Sequence, residues 1–205
     1  MWFARSTTAL WRLHPATNTI TKWTLPISSV SIGSRQPFDP SGRVWLKYSG
    51  GVAALNPSTS YLTYWAAPSG TWQGPFAHTD GNVWFAVQYS GVDSIARLNP
   101  STNQVTEWPC RAGCDVLGTV RVDSSDKVWF TEDGGTFIGY VGKLDPAASP
   151  PQFTEWPLPC SDVYTTACGL GEDSDPRGLV FDTNGDIWLY FADTPTYYRV
   201  ARLTP

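Results

Sequence analysis

Tryptophan recurs along this chain at a spacing that restricts the fold more tightly than any other feature. Trp2, Trp45, Trp84, Trp129 and Trp188 each sit in a short hydrophobic burst, and each burst is followed by a Leu-x-Pro: Leu13-His14-Pro15, Leu55-Asn56-Pro57, Leu98-Asn99-Pro100, Leu144-Asp145-Pro146 and Leu203-Thr204-Pro205. A second aromatic marker closes four of these copies, at Trp23, Trp65, Trp108 and Trp156, so nine of the eleven tryptophans occupy two repeat positions. A period of about 40 residues carrying several short strands is the signature of stacked or radially arranged β units.

Each copy resolves into four strands, A to D. Strand A is an apolar run ending in Asp39, Asp123 or Asp182, with His78 at the matching place in the third copy. A tight turn leads to strand B and the first Trp. Strand C ends in the Leu-x-Pro, and a Ser/Thr/Asn-rich turn leads to strand D and the second Trp. Asp80-Gly81 and Asn184-Gly185 supply the positive φ angles that such hairpins need. The expected fold is all-β: a β-propeller of four-stranded antiparallel blades, with five repeats visible at approximately 1–26, 30–68, 71–109, 116–159 and 174–205 in a single domain. The first repeat lacks strand A and the last lacks strand D. Exposed strand edges are avoided in soluble proteins, so self-association or further blades closing the ring are expected.

Composition agrees with many short strands. The chain has 205 residues, 18 Gly, 17 Pro and one Met, with 41 % hydrophobic residues. A net charge of −4 leaves no basic footprint for nucleic acid. No apolar run is long enough to span a bilayer. The four cysteines form two close pairs, Cys110/Cys114 and Cys160/Cys168, each just after a Trp-Pro. Two local disulfides, Cys110–Cys114 and Cys160–Cys168, in an extracellular or periplasmic protein is the preferred reading. Reduced thiols, or a shared zinc site, are the alternatives.

Strand parity puts the A–B and C–D turns at one end of every sheet and the B–C and D–A connections at the other. The first set is short and repetitive. The second holds both cysteine pairs, several Tyr-rich segments and the acidic run Glu172-Asp173-Ser174-Asp175. Binding residues concentrate on variable loops carried by a rigid scaffold. A protein or carbohydrate ligand is therefore expected at the B–C/D–A end, with Tyr48, Tyr89, Glu132, Asp133, Arg177 and Tyr190 as candidate contacts. Glu132 with Glu172 and Asp173 is a weak cation candidate; otherwise no cofactor is expected, with Mg or Ca as the alternative. Asp182-Thr183-Asn184-Gly185-Asp186 is similar in outline to a calcium loop, but its equivalents in other copies are hairpin turns.

The motifs Pro176-Arg177-Gly178, Val128-Trp129-Phe130-Thr131-Glu132, Lys143-Leu144-Asp145-Pro146 and Phe153-Thr154-Glu155-Trp156-Pro157-Leu158-Pro159 resemble the blade repeat of the virginiamycin B lyase (streptogramin lyase) family. The resemblance covers essentially the whole chain and implies a propeller. It also implies a magnesium-dependent elimination that uses His and Glu at fixed blade positions. Here the His position holds Ser34, Gln73, Gly118 and Arg177, and the Glu position holds Arg5, Tyr48, Val87, Glu132 and Phe191. One Glu remains and no His. His14 and His78 fall at the opposite end, as turn residues. No catalytic residue is assigned, and the expected function is a secreted binding or structural module. The alternative is a lyase-like enzyme whose catalytic blades lie outside these residues.

Overall fold

The computed structural model describes residues 1–6, 8–32, 38–67, 69–77, 80–111, 114–133, 139–158, 176–194 and 197–204. Those residues form seventeen β-strands and no helix, arranged as five small antiparallel sheets. The first sheet is β1 (Trp2–Ser6), β2 (Ala9–His14) and β3 (Thr19–Thr24); the second is β4 (Val44–Tyr48), β5 (Gly51–Asn56) and β6 (Tyr61–Ala66). The third holds β7 (Thr71–Ala77), β8 (Val83–Gln88), β9 (Ser94–Asn99) and β10 (Gln104–Pro109). The fourth holds β11 (Asp115–Val122), β12 (Val128–Asp133), β13 (Tyr140–Asp145) and β14 (Gln152–Pro157). The fifth is β15 (Pro176–Phe181), β16 (Ile187–Thr194) and β17 (Tyr197–Leu203). Within every sheet the strands lie side by side in chain order.

Each sequence marker has a specific bonding job. Asp123 Oδ1 accepts the amides of Ser125 and Lys127, closing the A–B turn, while Oδ2 accepts the indole N–H of Trp129. Asp39 does the same for Ser41, Arg43 and Trp45, and Asp182 for Asn184, Asp186 and Trp188. The residue after each Leu caps the C–D turn by the same chemistry: Asn56, Asn99 and Asp145 each accept two backbone amides. Short acceptor side chains suit these turns because they reach backbone donors two to four residues ahead. Positive φ falls at Gly42, Gly81, Asp126 and Gly185 in the A–B turns. His14 is also a turn residue, its carbonyl accepting the Thr17 amide.

The second Trp lids the first. Trp2 stacks on Trp23, Trp45 on Trp65 and Trp129 on Trp156, with centroids 5.1, 5.0 and 5.4 Å apart. A cation also lies near the first ring: Arg12 by Trp2, Lys143 by both Trp129 and Trp156, and Arg202 by Trp188, each the residue directly paired with that first Trp on the next strand. Ala54 holds that position opposite Trp45, and Arg43 takes over the role from the preceding turn.

The chain divides into two compact units, Met1–Phe85 with Arg97–Val105, and Ala86–Ala96 with Thr106–Pro205. In the first, Leu10, Trp23, Leu25, Val44, Leu46, Tyr48 and Leu55 form one buried cluster. There the second Trp of one repeat also bonds the C–D turn of the next, Trp23 to Ser60 at 3.2 Å and Trp65 to Asn103 at 2.7 Å. In the second unit, Trp129, Val141, Leu158, Leu179, Ile187, Leu189 and Phe191 pack together.

Most of the expected strand A of the second repeat lies outside the described residues; on either side of that gap Ser31 bridges Lys47 and Phe38 bridges Val44. Trp188, which holds the same repeat position as the buried Trp45 and Trp129, is 38 % exposed. Arg202 lies over its ring, and Asp182 accepts its indole N–H.

Candidate ligand-binding site

The irregular connections of the second unit converge through the third and fourth sheets. The β8–β9 connection is tied down by Asp93, which is buried at 4 % exposure. Its Oδ1 accepts the Tyr89 amide at 2.8 Å, and its carbonyl accepts the Cys110 amide at 3.0 Å. Cys110 is bonded to Cys114, Cα–Cα 6.0 Å, so the loop leaving β10 is closed on itself directly before β11 begins. The Tyr89 hydroxyl donates to Glu107 Oε2 at 2.8 Å, which anchors the phenol on β10. Gln88, Tyr89, Ser90, Asp93, Cys114 and Asp115 are among the residues lining a cavity of about 390 Å³ at this place.

Arg111, inside the disulfide loop, lies across one face of the fourth sheet. Its guanidinium carbon is 4.6 Å from the centroid of the Tyr140 ring. Its Nε pairs with Glu155, and its Nη2 with Glu132 at 3.3 Å. Pairing in register explains the convergence. Glu132 on β12 faces Tyr140 on β13, and Tyr140 faces Pro157 on β14, two residues beyond Glu155. Phe130 and Glu132 alternate with Trp129 and Thr131, so the polar cluster is on the sheet face opposite the Trp129–Trp156 stack.

Glu132 is the most perturbed group in this cluster. Its side chain has no exposure, and Oε1 has no hydrogen-bond partner. Burial, reinforced by the Glu155 charge and opposed by Arg111, pushes its carboxyl up to about 7. One guanidinium thus serves two carboxylates, and a proton on Glu132 is the group that balances them near neutral pH.

The sequence-selected residues separate into different places. Tyr89 and Glu132 belong to the two constellations above. Tyr48 belongs to the first unit and is largely core: it is 9 % exposed and edge-on to Tyr64 at 6.3 Å, and burial raises its phenol above the ordinary range, with Tyr64 adding to the rise. It also lines a second cavity with Leu25, Pro26 and Ser28. Tyr190 is 49 % exposed, but it stands within β16 and not in a connection; the space above Gly178 that a Cβ would occupy is filled by its ring. The backbones of Asp133 and Arg177 lie in β12 and β15. Glu172, Asp173, Cys160 and Cys168 lie outside the described residues. No group of three or more metal-ligating side chains occurs among the described residues.

Arg111, Glu107 and Glu155 were not selected from sequence. Both glutamates stand in the Thr-Glu-Trp marker, where the Glu necessarily faces away from the Trp, and that parity is the signal that identifies them.

Compared with protein-family models and with curated proteins, the chain matches none. Solved structures do match. One is the extracellular domain of a one-component system of Bacteroides thetaiotaomicron, at 13 % identity and a TM-score of 0.64, covering 98 % of this chain and 25 % of that one. Another is the extracellular domain of a hybrid two-component system of the same organism, at 15 % identity and a TM-score of 0.57, covering 92 % and 23 %. A third is an auxiliary nutrient binding protein of Bacteroides thetaiotaomicron, at 12 % identity and a TM-score of 0.58, covering 98 % and 54 %. The chain therefore spans between about a quarter and about half the length of these structures. At these identities the likeness establishes the all-β fold, and it gives no specific support to the lyase family.

Proposed function

We propose that this chain is part of an extracellular binding module, with its repeats serving as blades of a β-propeller and its ligand held at the B–C/D–A end. The observation that carries this reading is the division of labour between the two ends of the sheets. At one end, Asp39, Asp123, Asp182, Asn56, Asn99 and Asp145 spend their side-chain oxygens on the protein's own turn amides. At the other, a cavity, a disulfide-closed loop and an Arg–Glu cluster gather on structure that the repeat does not require. Irregular side chains held by a rigid frame are the usual form of a recognition surface.

An oxidising compartment agrees with the Cys110–Cys114 bridge and with the extracellular neighbours. No helix among the described residues is long and apolar enough to cross a membrane. The exposed Trp188 and Val200 on the fifth sheet suit a surface that further blades, or another chain, cover. The catalytic positions of the lyase family are not retained, so elimination chemistry is not assigned to these residues.

The reading is tested by probing glycan and peptide arrays with the chain and with variants at each end. Binding that is lost in Arg111→Ala and kept in Asn99→Ala is expected. Loss only on turn substitution, or an absence of binding to either array, would refute it.

A further inference from the structure

We propose that the outer edge of β17 and the exposed face beside it receive an extended strand carrying Thr-x-Trp, its indole opposite Val200 and stacked on Trp188. The inference rests on the repeats serving as blades, and not on what the B–C/D–A end binds.

Register within three other sheets defines the place. Trp2 pairs with Arg12, Trp45 with Ala54 and Trp129 with Lys143. Two residues earlier on those partner strands, Leu10 pairs with Trp23, Val52 with Trp65 and Val141 with Trp156. The Thr of each marker meets the residue that faces the first Trp: Thr21 pairs with Arg12, Thr63 with Ala54 and Thr154 with Lys143. Paired residues, and residues two apart on a strand, share a face of the sheet. Each second Trp is therefore on the same face as the first, and the rings stack at 5.1, 5.0 and 5.4 Å.

The fifth sheet repeats part of this pattern. Trp188 pairs with Arg202, which makes Val200 the counterpart of Leu10, Val52 and Val141. Those three are each 0 % exposed, whereas Val200 is 67 % exposed. Tyr190, paired with Val200 and so on its face, is 49 % exposed. β17 is the end strand of its sheet among the described residues. The cation's place is already taken, since Arg202 lies 6.0 Å from the centroid of Trp188 and pairs with Asp186. The opposite face is taken too: Leu179, Ile187, Leu189 and Phe191 pack with Trp129 of the fourth sheet. The exposed apolar area thus coincides with the position that a second Trp covers in three other sheets.

The outer edge of a strand offers backbone donors and acceptors to any extended chain, so side chains decide which one docks. Val200 beside an indole suits a stacked aromatic ring. Arg202 suits a short hydroxyl side chain opposite it and would repel Lys or Arg.

The experiment adds the peptide Gln-Phe-Thr-Glu-Trp-Pro-Leu, a copy of residues 152–158, to the whole chain. Calorimetry reads binding, hydrogen exchange its location and sedimentation the mass. The expected result is binding with new protection at 197–203, weakened about tenfold or more by Trp156→Ser in the peptide and by Val200→Asp in the chain. The peptide substitution leaves the protein untouched and so separates a lost contact from a lost fold. No binding, binding indifferent to both substitutions, or protection away from 197–203 would overturn the proposal. A dimer formed through 197–203 that excludes the peptide would put a second copy there and overturn the occupant. The array experiment decides the ligand-binding reading separately.

Discussion

The indole N–H of Trp129 donates to Asp123 Oδ2 at 2.7 Å, joining the first residue after β11 to a core side chain of β12. The same carboxylate closes the turn between those strands through two backbone amides. One side chain thus couples local turn geometry to burial of the largest aromatic in the repeat, and the arrangement recurs at Asp39–Trp45 and Asp182–Trp188.

Asp123→Ala should therefore cost about 1–3 kcal/mol, because it strands a buried indole donor and uncaps a turn together. Asp182→Ala should cost visibly less, since Trp188 is 38 % exposed and water can replace the lost acceptor. Urea unfolding of the two variants measures the difference; equal losses would show that the carboxylate serves only the turn.

Trp45→Ala removes a fully buried ring that stacks on Trp65 and should destabilise the chain by about 3–5 kcal/mol. Trp188→Ala, which removes a ring already 38 % exposed, should fall well below that range. The same unfolding assay compares them, and the contrast fails if the half-exposed ring proves as costly to remove.

The five-sheet architecture was readable because each repeat repeats its chemistry: Asp at the A–B turn, Leu-Asn-Pro or Leu-Asp-Pro at the C–D turn, and Trp where rings stack. The turn positions of Asp39, Asp123 and Asp182 follow from side-chain length and backbone donors, which are local properties. The site was only half visible. Tyr89 stands out as a departure from the repeat and Glu132 as the one Glu kept at its motif position, whereas Arg111 acquires its role from Glu155, 44 residues away on β14. Tyr48 misled because it occupies the position equivalent to Glu132, yet packs inward against Leu46 and Leu55 in one core cluster.

Glu132 gives the chain a pH-dependent stability. Its folded carboxyl sits at about 7, above the ordinary value of 4.5. The unfolded chain releases this proton first as pH rises, so the folded state binds more protons between those values and stability falls with rising pH. The contribution is intact below about pH 4.5 and is lost by about pH 7–8, a change of about 3 kcal/mol. Glu132→Gln should flatten that part of the curve. Unfolding free energies at pH 5 and pH 8 for both proteins check the sign, and a parallel pair of curves would remove Glu132 as the source.

The Cys110–Cys114 bridge closes a loop of only four intervening bonds in sequence. Its reduction should cost no more than about 2 kcal/mol of stability. Its larger effect should be on ligand binding, because the bridge fixes the wall that carries Cys114. Mapping of unreduced peptides should recover this bridge, and with it Cys160–Cys168. Free thiols, or Cys114 joined to Cys160, would contradict the local pairing.

The central claim is that the two ends of the sheets have separate tasks, one closing turns and the other receiving a ligand. Hydrogen exchange with and without a ligand selected on the glycan and peptide arrays tests it most directly. The account predicts ligand-dependent protection at 88–93 and 110–115, with 56–60, 99–103 and 145–148 unchanged. Protection centred on those C–D turns would contradict it.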